Sequence, residues 1–174
     1  MLTLAEETPG DWWEVEALYD LCFAPGREAL SSYRLREGVA PVGPLCLTLR
    51  DGEGILVGAI RYWPVRVGGQ EALLLGPVAI HPTRQGEGLG GLLMSESLAI
   101  ARTMGAARVM LVGDAPYYGR FGFAKLPEVR MPPPTRPGAA RGPARARGSW
   151  AGACALRAAW QSRSGRNRAH PPPA

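Results

Sequence analysis

Hydrophobic residues in the first part of the chain recur with the spacing of helices. Within residues 11–23, one face of a helix would carry Trp12, Val15, Leu18, Tyr19 and Cys22. Pro25 and Gly26 follow and are typical of a helix end, so the pattern predicts a helix over 11–23. A second short helix over 27–38 is compatible with the sequence.

Strand-forming residues dominate the next part of the chain. Three runs cover residues 45–50, 55–67 and 71–80, separated by the short glycine turns DGEG and GGQ. Consecutive strands joined by such turns favour an antiparallel meander.

A helix and a further strand follow the meander. Residues 88–104 carry an apolar face and end before Gly105, a typical residue after a helix. Residues 107–114 predict a buried strand, and 116–123 (PYYGRFGF) predict a short turn or helix that leads into one more strand. Two strands connected by a helix are expected to be parallel, so the predicted sheet is mixed.

The positive charge of the chain is confined to its C-terminal part. The net charge is +5, but residues 137–174 hold seven arginines and no acidic residue, and the first 136 residues have a balance of −2. From about residue 132 the chain is rich in Pro, Ala, Gly and Arg, with no alternating pattern for a strand and at most a weak helix over 150–160. We predict a folded domain over 1–133 and a poorly ordered tail over 134–174.

Composition narrows the class of protein. Hydrophobic residues make up 46% of the chain, enough for one core, and no apolar run is long enough to cross a membrane. The acidic N-terminus does not resemble a signal peptide, and Cys22, Cys46 and Cys154 show no paired spacing, so we expect a cytoplasmic protein with reduced thiols. Because only two histidines occur, we predict no metal site.

Glycines are concentrated where the long helix begins. Gly86, Gly88, Gly90 and Gly91 lie there, although each glycine costs a helix about 1 kcal/mol relative to alanine. The first turn of a helix exposes unpaired amides and the positive end of the helix dipole, which bind phosphate. Glycine lets phosphate oxygens approach these amides closely.

Two other interpretations of this loop are open. Gly86, Gly88 and Gly91 fit the dinucleotide pattern GxGxxG, with Asp114 near the acidic position of such sites. However, five residues separate the strand from the glycines, and the preceding strands look antiparallel. The glycines could also serve only to pack the helix closely on the sheet, although four of them make this costly.

Three segments together resemble a known family. Residues 85–90 match the pattern Q/R-x-x-G-x-G/A, which resembles the acyl-CoA signature of the GNAT superfamily of N-acetyltransferases. LLLGPVAIHP resembles the central strand of that superfamily, and YYGRFGF resembles its later motif, in which Tyr118 precedes Gly122 by four residues. With GD ahead of PYYGRFGF, the chain is similar to the small bacterial YhbS-like branch over about residues 1–133.

The resemblance implies an α/β (α+β) fold with a mixed, mostly antiparallel central sheet, a parallel splayed pair of strands and flanking helices. It also implies that acetyl-CoA is the acyl donor and that its pantetheine arm lies between the splayed strands, with a bulge at Gly76-Pro77. The cofactor-binding residues that it implies are Val78, Ala79, Ile80, Gln85, Gly86, Glu87, Gly88, Leu89, Gly90 and Gly91.

The implied reaction is acetyl transfer to a primary amine by direct attack on the thioester. Backbone amides after the bulge would stabilise the oxyanion, and Tyr118 is the candidate general acid for the departing thiolate. No residue stands out as the base: Glu71, Asp114 or a water chain are possible, whereas His81 is expected to be structural. Tyr117 and Arg120 are weaker candidates for a functional role.

Two alternative functions remain open at this stage. The protein could bind acyl-CoA without catalysis, or the arginine-rich tail could bind nucleic acid nonspecifically. The expected partner is a small-molecule or peptide amine, with no specific nucleic acid and no membrane. The sequence after Pro132 lacks the final strand that the family implies, and a change of reading frame in a GC-rich gene would give such a composition.

Overall fold

The computed structural model describes residues 1–23, 27–126, 129 and 156–158 of the 174-residue chain. Its strands and helices are β1 (Thr3–Glu6), α1 (Trp12–Phe23), α2 (Ser31–Arg34), β2 (Leu47–Arg50), β3 (Leu56–Val67), β4 (Gln70–Ile80), α3 (Leu89–Thr103), β5 (Val109–Met110), α4 (Ala115–Gly119), β6 (Phe123–Lys125) and β7 (Leu156–Ala158). Single-turn 3-10 helices lie at Pro9–Asp11, Arg27–Ala29, Gly43–Leu45 and Pro82–Arg84.

Five strands form the central sheet in the order β1-β2-β3-β4-β5. The first four are antiparallel, and β4 pairs with β5 in parallel across the helix connection α3. This confirms the predicted mixed sheet. The sequence did not predict β1, because this strand has four mostly exposed residues and so lacks an alternating hydrophobic pattern.

Helices cover the two faces of the sheet. Ala59 packs with Val15, Leu18 and Tyr19 of α1. A Cβ on the adjacent Gly58 would lie 3.1 Å from Leu93 of α3. Since successive residues of a strand point to opposite faces, α1 and α3 lie on opposite sides of the sheet.

Strand β4 contains the bulge predicted at Gly76-Pro77. Ile60 of β3 lies opposite Val78, but Tyr62 lies opposite Leu75, so two residues of β4 face the single residue between Ile60 and Tyr62. That single residue is Arg61, which is 2% exposed.

A buried ionic cluster holds Arg61 behind the bulge. Glu7 accepts hydrogen bonds from Nε and Nη2 of Arg61 at 2.8 and 2.6 Å, and Glu16 of α1 accepts one from Nη1. Glu16 also accepts a hydrogen bond from Arg27, so one carboxylate bridges two guanidinium groups. The cluster connects the chain next to β1 with α1 and the centre of β3.

The two parallel strands separate after a short contact. Leu73 and Leu74 of β4 lie opposite Val109 and Met110 of β5, and the amide of Leu73 donates to the Arg108 carbonyl at 2.9 Å. Beyond Leu74, no described strand pairs with this edge of β4. The strand predicted over 107–114 is therefore shorter than expected, because β5 diverges from its partner.

One prediction for the tail is wrong. The sequence favours a weak helix over 150–160 and no strand after Pro132, whereas Leu156–Ala158 form β7, antiparallel to β6. Pairing with β6 selects the extended form here, and three residues are too few to show an alternating pattern. The other tail residues after 129, and with them the predicted boundary at 133, lie outside the described part of the chain.

Candidate functional site

A cleft of about 800 Å³ opens where β4 and β5 separate, between β4, the glycine loop before α3, and α4. Six of its lining residues were not among the predicted site residues, namely Arg84, Met94, Ser95, Tyr117, Arg120 and Phe121. The cleft brings together nine of the predicted site residues, namely Val78, Ile80, Gln85, Gly86, Gly88, Leu89, Gly90, Gly91 and Tyr118.

The backbone of β4 presents alternate residues to this cleft. The amide of His81 donates to the Val57 carbonyl at 2.9 Å, so the antiparallel alternation makes Ala79 the next hydrogen-bonded partner of β3. The N–H and C=O groups of Val78 and Ile80 therefore point to the opposite, separated edge. The Ile80 carbonyl already accepts a hydrogen bond from Nε2 of Gln85 at 3.2 Å, which closes the loop onto the strand.

Two predicted residues do not line the cleft. The side chain of Ala79 is buried on the α1 face of the sheet. The carboxylate of Glu87 accepts two hydrogen bonds from Arg84, at 2.7 and 2.8 Å, and these bonds lower its pKa. Glu87 thus stabilises the loop through its ion pair with Arg84 and does not line the cleft.

The four loop glycines differ in their surroundings. Gly86 and Gly88 have positive φ angles of 86° and 79°, and a Cβ on either would meet no atom within 4 Å. Gly88 precedes the first residue of α3, and it supplies no side-chain cap. The first amides of α3 therefore lack a capping side chain, and open space lies in front of the two left-handed glycines.

The other two glycines allow α4 to approach α3. A Cβ on Gly90 would lie 3.4 Å from the hydroxyl of Tyr117, and one on Gly91 would lie 4.0 Å from Phe121. The packing explanation of the glycines thus applies to Gly90 and Gly91, whereas Gly86 and Gly88 set the backbone path of the loop.

Tyr118 is half-buried where α4 meets the core. Its ring makes edge contacts with Tyr117 and Phe123, with centroids 4.9 and 6.3 Å apart. Burial raises the pKa of the Tyr118 phenol, and the nearby Tyr117 and Asp114 raise it further. The phenol therefore stays protonated throughout the neutral pH range, as a proton donor requires.

Sequence reasoning missed a glycine that seats Tyr118. A Cβ on Gly113 would lie 2.3 Å from Cε2 of the Tyr118 ring, closer than any real contact. The signal that could have identified it is the GD pair ahead of PYYGRFGF, because Gly113 is the glycine of that pair.

The candidate bases are widely separated. Asp114 precedes α4, four residues from Tyr118. Glu71 lies seven residues before Val78 along β4, roughly 23 Å away in an extended strand, and lines a different cavity. His81 accepts a hydrogen bond from the Thr83 amide and contacts the Thr83 hydroxyl at 2.8 Å, which agrees with its expected structural role.

The described residues contain no cluster of three or more His, Cys, Asp or Glu side chains that could hold a metal ion. Among the same residues, no helix is both long and apolar enough to span a membrane.

Comparisons with known proteins agree with this geometry. The model of the acetyltransferase (GNAT) family matches residues 12–123. The uncharacterized N-acetyltransferase YhbS of Escherichia coli strain K12 is 34% identical over 120 residues, which cover 67% of this chain and 70% of YhbS.

Two solved structures are similar in fold and sequence. A GNAT family acetyltransferase from Brucella melitensis, in complex with acetyl-CoA, has a TM-score of 0.59 and 34% identity, over 71% of this chain and 83% of that one. Escherichia coli YhbS, in complex with CoA, has a TM-score of 0.61 and 31% identity, over 71% of this chain and 68% of that one.

The family match spans α1, the splayed strands, the glycine loop and Tyr118. It agrees with the five-stranded sheet and its single parallel pair, and the predicted fold class is confirmed. The chain belongs to the GNAT family of acetyltransferases.

Proposed function

We propose that this protein transfers an acetyl group from acetyl-CoA to a primary amine by direct attack. The observation that carries the proposal is the cleft itself, which joins a free strand edge, an uncapped helix start and a protonated phenol. The Brucella and YhbS structures, which hold acetyl-CoA and CoA, support the same choice of donor.

The residues present fit acetyl-CoA. The free edge at Val78 and Ile80 suits the amides of an extended pantetheine arm, because the N–H groups of both residues and the Val78 carbonyl point to it. The loop from Gln85 to Gly91 suits a pyrophosphate, because helix amides and the positive end of the helix dipole converge there.

Acetyl-CoA supplies an activated thioester, so that a C–N bond forms to the acceptor while the C–S bond breaks. The Val78 amide would donate a hydrogen bond to the carbonyl oxygen as negative charge develops on it. The Tyr118 hydroxyl would give its proton to the departing thiolate, whose conjugate acid has a pKa of about 8.5 if it resembles a cysteine thiol. The amine must enter uncharged. As the amide forms, its nitrogen would lose a proton, which would pass through water to restore the Tyr118 hydroxyl; of the two candidate carboxylates, Asp114 is the nearer to Tyr118 in the chain.

The direct test is a titration of the purified full chain with acetyl-CoA, followed by measurement of thiol release with a panel of amines. The proposal expects saturable binding together with amine-dependent thiol release. Binding without release from any amine would favour the alternative of an inactive acyl-CoA-binding protein. Salt-sensitive retention on DNA, with no acetyl-CoA binding, would favour the alternative that assigns function to the tail.

A further inference from the structure

Arg36, like Arg61, lies beside the bulge of β4, and it has no role in the proposed binding of acetyl-CoA. A Cβ on Gly76 would lie 3.7 Å from Nη2 of Arg36, in the segment just after α2. The Nε and Nη1 atoms of Arg36 are buried and have no hydrogen-bond partner within the described part of the chain. Two buried guanidinium nitrogens without acceptors are costly, because they have lost their water without gaining a protein partner.

Two aromatic rings hold this guanidinium in place. Its central carbon lies 4.2 Å from the ring centroid of Tyr33 and 5.6 Å from that of Trp63. Trp63 is itself fixed, since its Nε1 donates to the Gly76 carbonyl at 3.0 Å. Cation–π contacts steady a guanidinium over its flat faces but do not use its N–H groups.

Two carboxylates of α1, the helix on the same face of the sheet, are already paired with other arginines. Asp20 accepts a hydrogen bond from Arg27 at 2.7 Å, and Glu16 is shared between Arg27 and Arg61. Burial lowers the pKa of Arg36, whereas the electrostatic effect of Tyr33, a hydrogen bond with Tyr33 and the effect of Tyr19 act in the opposite direction. Arg36 is thus a fixed cation for which the described residues supply no anion.

Arg36 lies on the face of the sheet opposite to the cleft. Tyr62 contacts Ser97 of α3 at 2.8 Å, so the next residue, Trp63, and the Arg36 side chain against it lie on the α1 face. Gly76 and Val78 are two residues apart, roughly 7 Å along an extended strand. A small molecule bound to Arg36 would therefore lie within about one residue pair of the Val78 amide, to which the proposed function assigns the thioester carbonyl.

From this geometry we propose that the acceptor is a primary amine that also carries a carboxylate, and that Arg36 binds this carboxylate. The inference rests on the proposed acetyl transfer and specifies its acceptor class. A single carboxylate matches one guanidinium in charge and in planar geometry, whereas a phosphate dianion would call for a second free cation. Arg27, the neighbouring arginine, is already neutralised by Glu16 and Asp20.

The test compares matched acceptors on the wild-type protein. Amino acids with the amine α, β or γ to the carboxylate are each paired with their primary amides, and rates are compared at equal concentrations of uncharged amine. We expect kcat/KM for at least one amino acid to exceed that for its amide by about 10- to 100-fold, the range typical of hydrogen bonds to a charged group. This comparison does not depend on the folding of any variant.

The variant Arg36→Gln should lose this preference, mainly through a higher KM for the carboxylate acceptor. Arg66→Gln is the matched control, because Arg66 is exposed at the far end of β3 and loses the same charge there. It should keep the preference of the wild type.

Equal rates with both acceptor forms, or an Arg36→Gln variant that keeps the preference, would overturn the inference while leaving acetyl transfer intact. Failure to bind acetyl-CoA, or binding with no turnover of any amine, would overturn the proposed function and the inference with it.

Discussion

Under the proposed function, single glycines allow the loop before α3 to bind a phosphate. Gly88 has a positive φ and faces open space, so a side chain there would be strained and would project into the region where the first amides of α3 are free. Gly54, in the turn between β2 and β3, has a similar φ of 81° and is also open. Gly88 and Gly54 differ mainly in that only Gly88 lies at the proposed pyrophosphate position.

We expect Gly88→Glu to weaken acetyl-CoA binding by more than about 100-fold, because it places bulk and negative charge at the proposed pyrophosphate position. Gly54→Glu carries the same strain and charge and should bind as the wild type does. Isothermal titration of both variants checks this. Equal affinities for the two variants would remove the loop from the proposed site.

Tyr118 is the residue to which the proposal gives a chemical role. Tyr118→Phe should lower kcat by on the order of 100-fold, the lower range for a general acid, with little change in acetyl-CoA affinity. Tyr117→Phe removes the neighbouring phenol and should change kcat little. Because the pKa of Tyr118 is raised above its ordinary value near 10, its loss of the proton should cause no decline in kcat below about pH 10. A Tyr118→Phe enzyme as active as the wild type would exclude the role.

At the scale of elements, the site depends on how the chain passes from β5 into α4. This link crosses Gly113, where only a hydrogen leaves room for the Tyr118 ring. The short helix α4 therefore packs against the first turn of α3 with Tyr118 directed to the core, and the cleft forms between them.

We expect Gly113→Ala to displace the Tyr118 ring and to lower kcat more than it lowers acetyl-CoA affinity. Gly119→Ala, at the end of the same helix, meets no atom within 4 Å and should be tolerated. Thiol-release assays and a crystal structure of Gly113→Ala would measure both effects. An unmoved Tyr118 ring with full activity would contradict this account of the link.

The elements with strong periodicity could be predicted from the sequence, and those set by distant pairing could not. The prediction of the long helix over 88–104 differs from α3 by one residue at each end. In contrast, β1 and β7 owe their extended form to partners elsewhere in the chain, and their own residues carry little pattern. The second helix predicted over 27–38 is reduced to a 3-10 turn and the four residues of α2.

In the candidate site too, residues in contiguous motifs could be predicted from the sequence, whereas residues placed by tertiary contacts could not. Contiguous motifs indicate Gln85–Gly91 and Tyr118, and all of these residues except Glu87 line one cleft. Arg36 could not be predicted because it lies against Trp63 and Gly76, which are far from it in sequence. Gly113 lies only five residues from Tyr118, but their contact depends on the path of the backbone into α4. Ala79 lies between Val78 and Ile80 in the same motif, but strand alternation directs its side chain to the other face of the sheet.

At the scale of the whole molecule, the buried cluster of Arg61, Glu7 and Glu16 ties the N-terminal segment to the sheet behind the bulge. The Glu7 side chain is 8% exposed and binds two nitrogens of Arg61. Removing one partner of such a cluster leaves a buried charge without full compensation.

We expect Glu7→Gln to lower the free energy of unfolding by about 3 kcal/mol, the usual lower range for breaking a buried ion pair. Glu6→Gln changes an exposed neighbour and should have little effect. Urea unfolding followed by circular dichroism measures both. A Glu7→Gln protein as stable as the wild type would show that Glu16 alone satisfies Arg61.

The short pairing of β4 with β5 leaves an edge of the sheet to which another extended molecule could hydrogen-bond. Beyond Leu74 the edge of β4 is unpaired within the described residues, and a chain that pairs there would lie about 4.8 Å from β4. A narrow, unbranched arm with its own amides can complete the sheet there as a substitute strand. Under the proposed function, the free edge of β4 would thus favour a donor whose linking arm is extended and carries amides, because such an arm can form the hydrogen bonds that a neighbouring strand would form.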